Sequence, residues 1–173
     1  MKYQRFQVEK KAEFNRDAIA IREEIETFLN FSTLEDVRVI AVYDLVGVDE
    51  AEAKQVYEAI LWDPVLDEEV VTLDDRYLTF RYEAVEGQFD QRADSTSKLA
   101  SLILGRKIEV LSSKVVAIRG LNLEEFNQVK AYHLNPVEYT EIPMDAFTYV
   151  ERREDREPIR SLEGFISKSD EEV

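Results

Sequence analysis

The chain of 173 residues contains no cysteine and a single histidine, His133. Without cysteine there is no disulfide, no thiol nucleophile and no thiolate ligand for a metal ion. One histidine also excludes a zinc site built from several imidazoles. Glycine and proline are scarce, at five and four residues, and the glycines are scattered singly. The sequence therefore lacks a glycine-rich phosphate loop, and the common nucleophilic and metal-dependent motifs are missing with it.

Positive charge is also in short supply, since 22 Lys and Arg residues face 37 Asp and Glu residues and leave a net charge of −15. Such a chain repels phosphate backbones and anionic lipids, so we expect no nucleic-acid or membrane partner. No apolar run reaches the roughly 20 residues that a membrane span needs. The first residues lack the apolar core of a signal peptide, and we expect a soluble cytoplasmic protein.

The abundant carboxylates form adjacent pairs such as Asp74 and Asp75. With so many acids, such pairs arise by chance, and we interpret them as solvated surface and not as catalytic groups. His133 falls on the apolar side of a predicted helix near its end, where packing or interaction with the helix dipole is the expected role. No catalytic residue is predicted in this chain.

The sequence repeats itself at a period near 73 residues. A strand-like FQVEK begins at Phe6, and a similar FRYEA begins at Phe80. In each copy the pattern predicts an amphipathic helix and then a strand rich in β-branched residues, over residues 37–43 and 115–119. The predicted helical faces comprise Ala18, Ile21, Ile25, Phe28 and Leu29 in the first copy, and Thr96, Leu99, Leu102 and Ile103, with Gly105 as a left-handed cap, in the second.

A second helix in each copy has the same start and the same stop. A capping box begins at Asp49 in the first copy and at Asn122 in the second. Both helices run into a proline, Pro64 or Pro136, which disfavours helical geometry in the residue before it. A short closing strand is then predicted in each copy, over residues 69–73 and 137–142.

Each copy therefore reads β-α-β-α-β, and the short strands favour an α+β fold with helices on one face of each sheet. We expect the two copies to pack together and cover their remaining faces, as the subunits of a dimer would. Residues 1–74 form the first predicted repeat and residues 75–145 the second. Residues 146–173 are predicted to be a linker and the start of a following domain. The alternative stays open that the two segments are similar only by chance, as happens in any α+β protein.

The end of the chain changes in character. A mixed charge run over residues 151–158 ends in proline and is typical of an exposed linker. Ser169 and Glu172 fit another capping box, yet the sequence stops at Val173. We interpret the 173 residues as a fragment that ends where the next domain begins.

One segment of the second copy, residues 87–95, carries a denser set of polar groups than its counterpart at residues 12–17. Arg92 offers a planar donor fork that suits a carboxylate or a phosphate, and Asp94 or Ser95 is expected to cap the helix. Ordinary strand-to-helix turn chemistry is the alternative reading. The asymmetry between the copies predicts an interface, and its candidate residues are Gln88, Asp90, Gln91, Arg92, Asp94 and Ser95.

Several stretches together carry a resemblance to a known family. They are VEKK at Val8, RVIAVYDLVG at Arg38, GQFDQRADS at Gly87, NPVE at Asn135 and GF-x-x-x-x-DEE at Gly164. In this order they resemble the start of phosphoribosylformylglycinamidine synthase in its long single-chain form, along essentially the whole chain. That end of the family resembles two fused copies of a small PurS-type subunit, which agrees with the repeat described above.

The resemblance implies that the parent polypeptide converts formylglycinamide ribonucleotide to its amidine in purine biosynthesis, using ATP, Mg²⁺ and ammonia from glutamine. The catalytic motifs of the family lie beyond Val173, so no catalytic, cofactor-binding or metal-binding residue is transferred to this chain. The implied role is a scaffold whose partners are the synthase and glutaminase domains of the same polypeptide. Such a scaffold helps to shield the ammonia path, because ammonia that reaches bulk water is protonated and lost.

Two other functions stay open at this point. One is a tandem ferredoxin-like regulatory module that senses a small molecule between its two copies. The other is an enzyme in its own right that binds a nucleotide. Self-association of the isolated chain is a further expectation, because removal from the parent uncovers apolar surface.

Overall fold

In the computed structural model, which describes residues 2–148, five strands form one antiparallel sheet and four helices pack on one of its faces. The expected mixture of helices and strands, with the helices on one face, is therefore present. The predicted linker at residues 151–158, the motif at residues 164–172 and the capping box at Ser169 lie outside the described residues.

Strands and helices alternate along the chain. The first half consists of β1 (Tyr3–Val8), α1 (Arg16–Glu24), β2 (Asp36–Val46) and α2 (Glu50–Val56). The second half consists of β3 (Leu78–Ala84), α3 (Gln91–Leu104), β4 (Glu109–Arg119), α4 (Leu123–His133) and β5 (Tyr139–Ile142). The first two helices each continue into a wider π-helical turn, Ile25–Leu29 after α1 and Tyr57–Leu61 after α2.

The strand order across the sheet is β1-β2-β4-β3-β5. The two halves meet where β2 pairs with β4 over eleven residues, from Asp36 opposite Arg119 to Val46 opposite Glu109. The halves thus lie side by side in one sheet, and the expectation that two sheets pack face to face is wrong. Edge pairing satisfies the backbone N–H and C=O groups that each half would otherwise expose along its inner strand.

The predicted closing strand of the first half is also wrong. Residues 69–73 are irregular, and only an isolated bridge joins Lys10 to Asp67 in front of them. Instead, Val71 and Leu73 lie on the sheet face opposite the helices, where they pack against a small apolar cluster on β2 and β4. In the second half the closing strand does form, as β5, and pairs with the end of β3.

Two hydrophobic clusters lie between the sheet and the helices. In one, α1 and α4 pack over β3 and one end of the central strands; in the other, α2 and α3 pack over β1 and the opposite end. Each cluster takes one helix from each half, so the halves share their cores. A fully buried Ile or Val in such a cluster contributes about 1.5–3 kcal/mol relative to its exposed state.

The helical faces differ in part from those expected. Ala18, Ile21 and Ile25 are buried as predicted, but Phe28 is 68% exposed. In α3 the buried residues are Thr96 and Ala100, with Ile103 packed beside them, whereas the predicted Leu99 and Leu102 are 46% and 79% exposed. The face of α3 that carries Thr96, Ala100 and Ile103 lies against the cluster, and the two leucines therefore lie on the outer side of the helix.

Both predicted capping boxes are present. The Asp49 carboxylate accepts from the Glu52 N–H at 2.8 Å, and the Glu52 carboxylate accepts from the Asp49 N–H at 3.1 Å. Asn122 and its partner repeat the two distances at the start of α4. A glycine with positive φ precedes each box, and at Gly120 a Cβ atom would lie only 2.4 Å from the Thr33 carbonyl oxygen.

The capping box of α2 leads to a testable pKa. A hydrogen bond from Arg106, with a second from the Asp49 N–H, lowers the pKa of Glu52 from 4.5 to about 2. Because the folded-state pKa lies below the ordinary one, the contribution of Glu52 to stability is complete above about pH 4.5 and is lost as the pH falls towards 2. We expect a carboxyl-detected NMR titration to give a pKa near 2, and Arg106→Gln to raise it. A pKa near 4.5 in the unsubstituted chain would contradict this arrangement.

Candidate interface site

The predicted segment lies beside an open cleft of about 600 Å³. Pairing between β3 and β4 stops at Tyr82 opposite Lys114, although β4 begins at Glu109. Beyond Tyr82, β3 moves away from β4 and pairs with β5 on its other side. The gap between the two strands is the cleft, with residues 109–112 on one wall and residues 83–90 on the other.

The cleft is acidic and carries an exposed aromatic ring. Glu83, Glu86, Asp90 and Glu109 line it, and we call it the acidic cleft. Phe89 also lines the cleft and is 72% exposed, whereas Phe80 and Phe126 in the hydrophobic cluster are 1% and 4% exposed. Carboxylates around an exposed ring are complementary to a surface that offers cations and apolar groups. The cleft therefore combines negative charge with an exposed apolar ring.

The residue that caps each first helix differs between the halves. In the first half, the Asn15 amide oxygen accepts from the Ala18 N–H at 3.2 Å, and its nitrogen donates to the Val39 carbonyl of β2 at 3.0 Å. In the second half, Asp90 accepts from the Ala93 N–H at 3.0 Å. A carboxylate has no donor for a strand carbonyl. The start of α3 is thus not tied to β4 in the way that the start of α1 is tied to β2.

The six predicted interface residues do not all line one cavity. Gln88 and Asp90 line the acidic cleft, and the Gln88 amide nitrogen lies 3.5 Å from the Val137 carbonyl oxygen. Gln91 and Arg92, together with Asp90, line a smaller adjoining cavity of about 210 Å³. The Arg92 guanidinium donates to the Tyr43 hydroxyl of β2 at 3.1 Å.

The remaining two predicted residues lie elsewhere on α3. Asp94 forms an ion pair with Lys98 one turn later, at 3.0 Å, and Ser95 is exposed. Neither caps the helix, contrary to expectation, because the Asp90 side chain accepts from the Ala93 N–H and α3 already begins at Gln91. Asp94 and Ser95 therefore do not belong to the cleft.

His133 has the packing role expected of it. Its Nε2 atom lies 3.3 Å from the Tyr82 hydroxyl, and its ring meets the Tyr82 ring edge-on. The Glu24 carboxylate lies 3.6 Å from Nδ1. Burial raises the pKa of the Tyr82 hydroxyl well above its ordinary value, so this group stays protonated at neutral pH. The contact joins α4 to β3 at the edge of a hydrophobic cluster.

Sequence reasoning missed a cluster of buried charges on the sheet face opposite the helices. Asp44 and Arg81 are each 2% exposed, and Arg5 lies beside them. Arg5 donates two hydrogen bonds to the Asp44 carboxylate, at 2.6 and 2.8 Å, and these raise the pKa of Arg5. Burial lowers the pKa of Arg81, which donates to the Ser113 hydroxyl at 2.9 Å and lies 3.6 Å from Asp44. The sequence signal was a lone aspartate inside the apolar run VIAVYDLV.

This buried cluster holds the chain that follows β5 across the sheet. Arg81 donates to the carbonyl oxygens of Pro143, Met144 and Ala146, and Arg5 donates to Ala146 as well. The Thr148 hydroxyl donates to Glu83 at 2.8 Å, and the Phe147 ring stacks on Tyr3 with centroids 3.9 Å apart. The path of residues 143–148 over the open face is therefore fixed by side chains from both halves.

Within residues 2–148, no group of three or more His, Asp or Glu side chains is arranged to hold a metal ion. Over the same described residues, every helix is too short or too polar to cross a bilayer. Compared with models of known protein families and with curated proteins, the chain matches none of them.

The buried charge cluster gives a stability prediction. Asp44→Asn removes the one carboxylate that Arg5 and Arg81 share, and we expect the free energy of unfolding to fall by about 3–5 kcal/mol. The matched control is Asp74→Asn, which breaks an exposed ion pair with Arg76 and is expected to cost at most about 1 kcal/mol. Urea unfolding of both variants measures the difference. Equal, small effects would show that Asp44 does not hold this face together.

Proposed function

We propose that this chain is the N-terminal scaffold domain of a long-form phosphoribosylformylglycinamidine synthase. In this role it catalyses nothing itself and holds the synthase and glutaminase domains of the parent polypeptide in place. The parent would use ATP, Mg²⁺ and glutamine to make formylglycinamidine ribonucleotide in the cytoplasm. The family resemblance of the sequence motifs supports this proposal, and three features of the structure agree with it.

The first feature, on which the proposal mainly rests, is the equivalence of the strand pairings in the two halves. Phe6 lies opposite Tyr43 in the first half, and Phe80 lies opposite Val116 in the second. These partners are offset by 74 and 73 positions, and the two capping boxes are offset by 73. Corresponding pairing at an offset of 73 or 74 residues supports a duplicated PurS-like unit, with repeats at residues 1–74 and 75–145.

The second feature is the position of the motif GQFDQRADS. Its glycine, its aromatic ring and two of its polar side chains line the acidic cleft, which in the second half is open to solvent. A scaffold needs a surface that a neighbouring domain recognises, and an exposed ring among carboxylates supplies both contact area and charge. We assign this cleft to the glutaminase or synthase surface of the parent.

The third feature is the fixed path of the chain after β5. Arg5 and Arg81 hold the carbonyl groups of residues 143–146 against the sheet, so the connection runs in a set direction. A scaffold domain needs such a connection, since a flexible linker would leave the positions of the neighbouring domains undefined. Residues 146–173 are, in this proposal, the linker to the following domain.

The proposal is tested with the polypeptide that carries this sequence, purified from the cells that make it. We expect it to form formylglycinamidine ribonucleotide from ATP, formylglycinamide ribonucleotide and glutamine. Arg92→Ala should lower glutamine-dependent turnover about fivefold to tenfold, the effect of losing an interface contact worth about 1–1.4 kcal/mol. Turnover with free ammonia should change less, because that route bypasses transfer from the glutaminase.

Lys98→Ala is the matched control, because it removes a cation from an exposed position on the same helix, away from the acidic cleft. Absence of product from the unsubstituted polypeptide would refute the proposed function. Equal turnover of the Arg92 and Lys98 variants would leave the synthase assignment intact and refute the interface role of Arg92.

A further inference from the structure

A second cavity, distinct from the acidic cleft, lies where the two halves meet on the helical side of the sheet. Its volume is about 240 Å³, and we call it the seam cavity. Four cationic side chains line it, against a single carboxylate, in a chain whose net charge is −15. The cations are Lys10, Arg16, Arg92 and Lys114, and the carboxylate is Asp17.

The fold brings these residues together from distant parts of the sequence. Lys10 follows β1 and Arg16 begins α1, both in the first half, whereas Arg92 lies in α3 and Lys114 in β4. Pairing of β2 with β4 sets the two halves side by side, so the starts of α1 and α3 approach the same cavity. The partial positive charge at the start of α1, where residues 15–17 line the cavity, adds to that of the side chains.

The acidic side chains of the protein neutralise only part of this charge. The Lys10 ammonium pairs with Asp67 at 3.2 Å, and the Lys114 ammonium pairs with Asp17 at 2.7 Å. In the part of the chain that the structure describes, neither Arg16 nor Arg92 forms an ion pair with a carboxylate. Arg92 donates one of its five N–H groups to the Tyr43 hydroxyl. Two arginines that line the cavity thus retain guanidinium donors for a ligand.

Arginine is the side chain that best matches the geometry of a phosphate, since its planar fork presents parallel donors to two oxygens. Ligand pockets for whole drug-sized molecules occupy about 300–1,000 Å³. The seam cavity is smaller, at about 240 Å³, so it suits one charged group and a short attachment. A dianion also offsets two unpaired cations, which a single carboxylate does not.

We propose that the seam cavity binds the phosphate group of a small molecule, with Arg16 and Arg92 as the principal donors and Lys114 as a supporting cation. The site shares Arg92 with the proposed interface and rests on no other part of the scaffold function, and Arg16 belongs to the seam cavity alone. Its occupant would contact both halves and so stabilise the seam between them.

The test is a calorimetric titration of the 173-residue chain with sodium phosphate at an ionic strength held constant with sodium chloride. We expect saturable binding at a dissociation constant of about 1 mM or tighter. Arg16→Gln should weaken it at least fivefold, and Arg16→Lys should weaken it less because the cation remains. The matched control is Lys98→Gln, which removes the same charge from an exposed position outside the seam cavity and should bind phosphate normally.

Titrations with two further ligands, glycerol phosphate and acetate, identify the ligand class. Glycerol phosphate should bind at least as well as inorganic phosphate, and acetate should bind more weakly than either. Tighter binding of acetate would overturn the phosphate assignment in favour of a carboxylate. Lack of saturable binding by phosphate, or an equal loss in the Arg16 and Lys98 variants, would overturn the site itself. Arg16 is exposed, so matching thermal unfolding midpoints for the variants are expected and exclude misfolding as the cause.

Discussion

The backbone pairing of β2 with β4 is the interaction on which the rest of this structure depends. It joins eleven residues from each half into the centre of one sheet. Each hydrophobic cluster then contains one helix from each half, so neither half has a complete core of its own. The same pairing creates the seam cavity, whose cations come from both sides. A half on its own would expose an inner strand edge and half of each core.

The opposite face of the sheet is held by a different kind of interaction. Asp44 and Arg81 are withdrawn from solvent and Arg5 is partly so, and desolvation of such charges is costly unless each is paired and hydrogen-bonded. Here the guanidinium groups satisfy that requirement with backbone carbonyls of residues 143–146 as well as with Asp44. These contacts fix the path of residues 143–146 over the sheet and do not enlarge the apolar core. This property suits a domain that positions its neighbours, as we propose.

Local chemistry in the sequence was sufficient for some elements and not for others. The capping boxes at Asp49 and Asn122 follow from residues three apart, and both form as predicted. The alternation of Val71 and Leu73 is compatible with a strand or with packing on a sheet face, and only the tertiary structure decides between them. The sequence indicated Arg92 as a hydrogen-bond donor. Arg16 and Lys114, which line the same cavity, are distant from it in the sequence, so no local pattern could predict that the three lie together.

Native-state hydrogen exchange of the 173-residue chain tests the central claim, that the two halves fold as one unit through β2 and β4. If the account is right, the slowest amides of β2 and β4 share one free energy of opening, equal to that of global unfolding. Denaturant and exchange should then report a single cooperative transition. If the amides of one half open at a markedly lower free energy than those of the other, the halves fold independently and the account is contradicted.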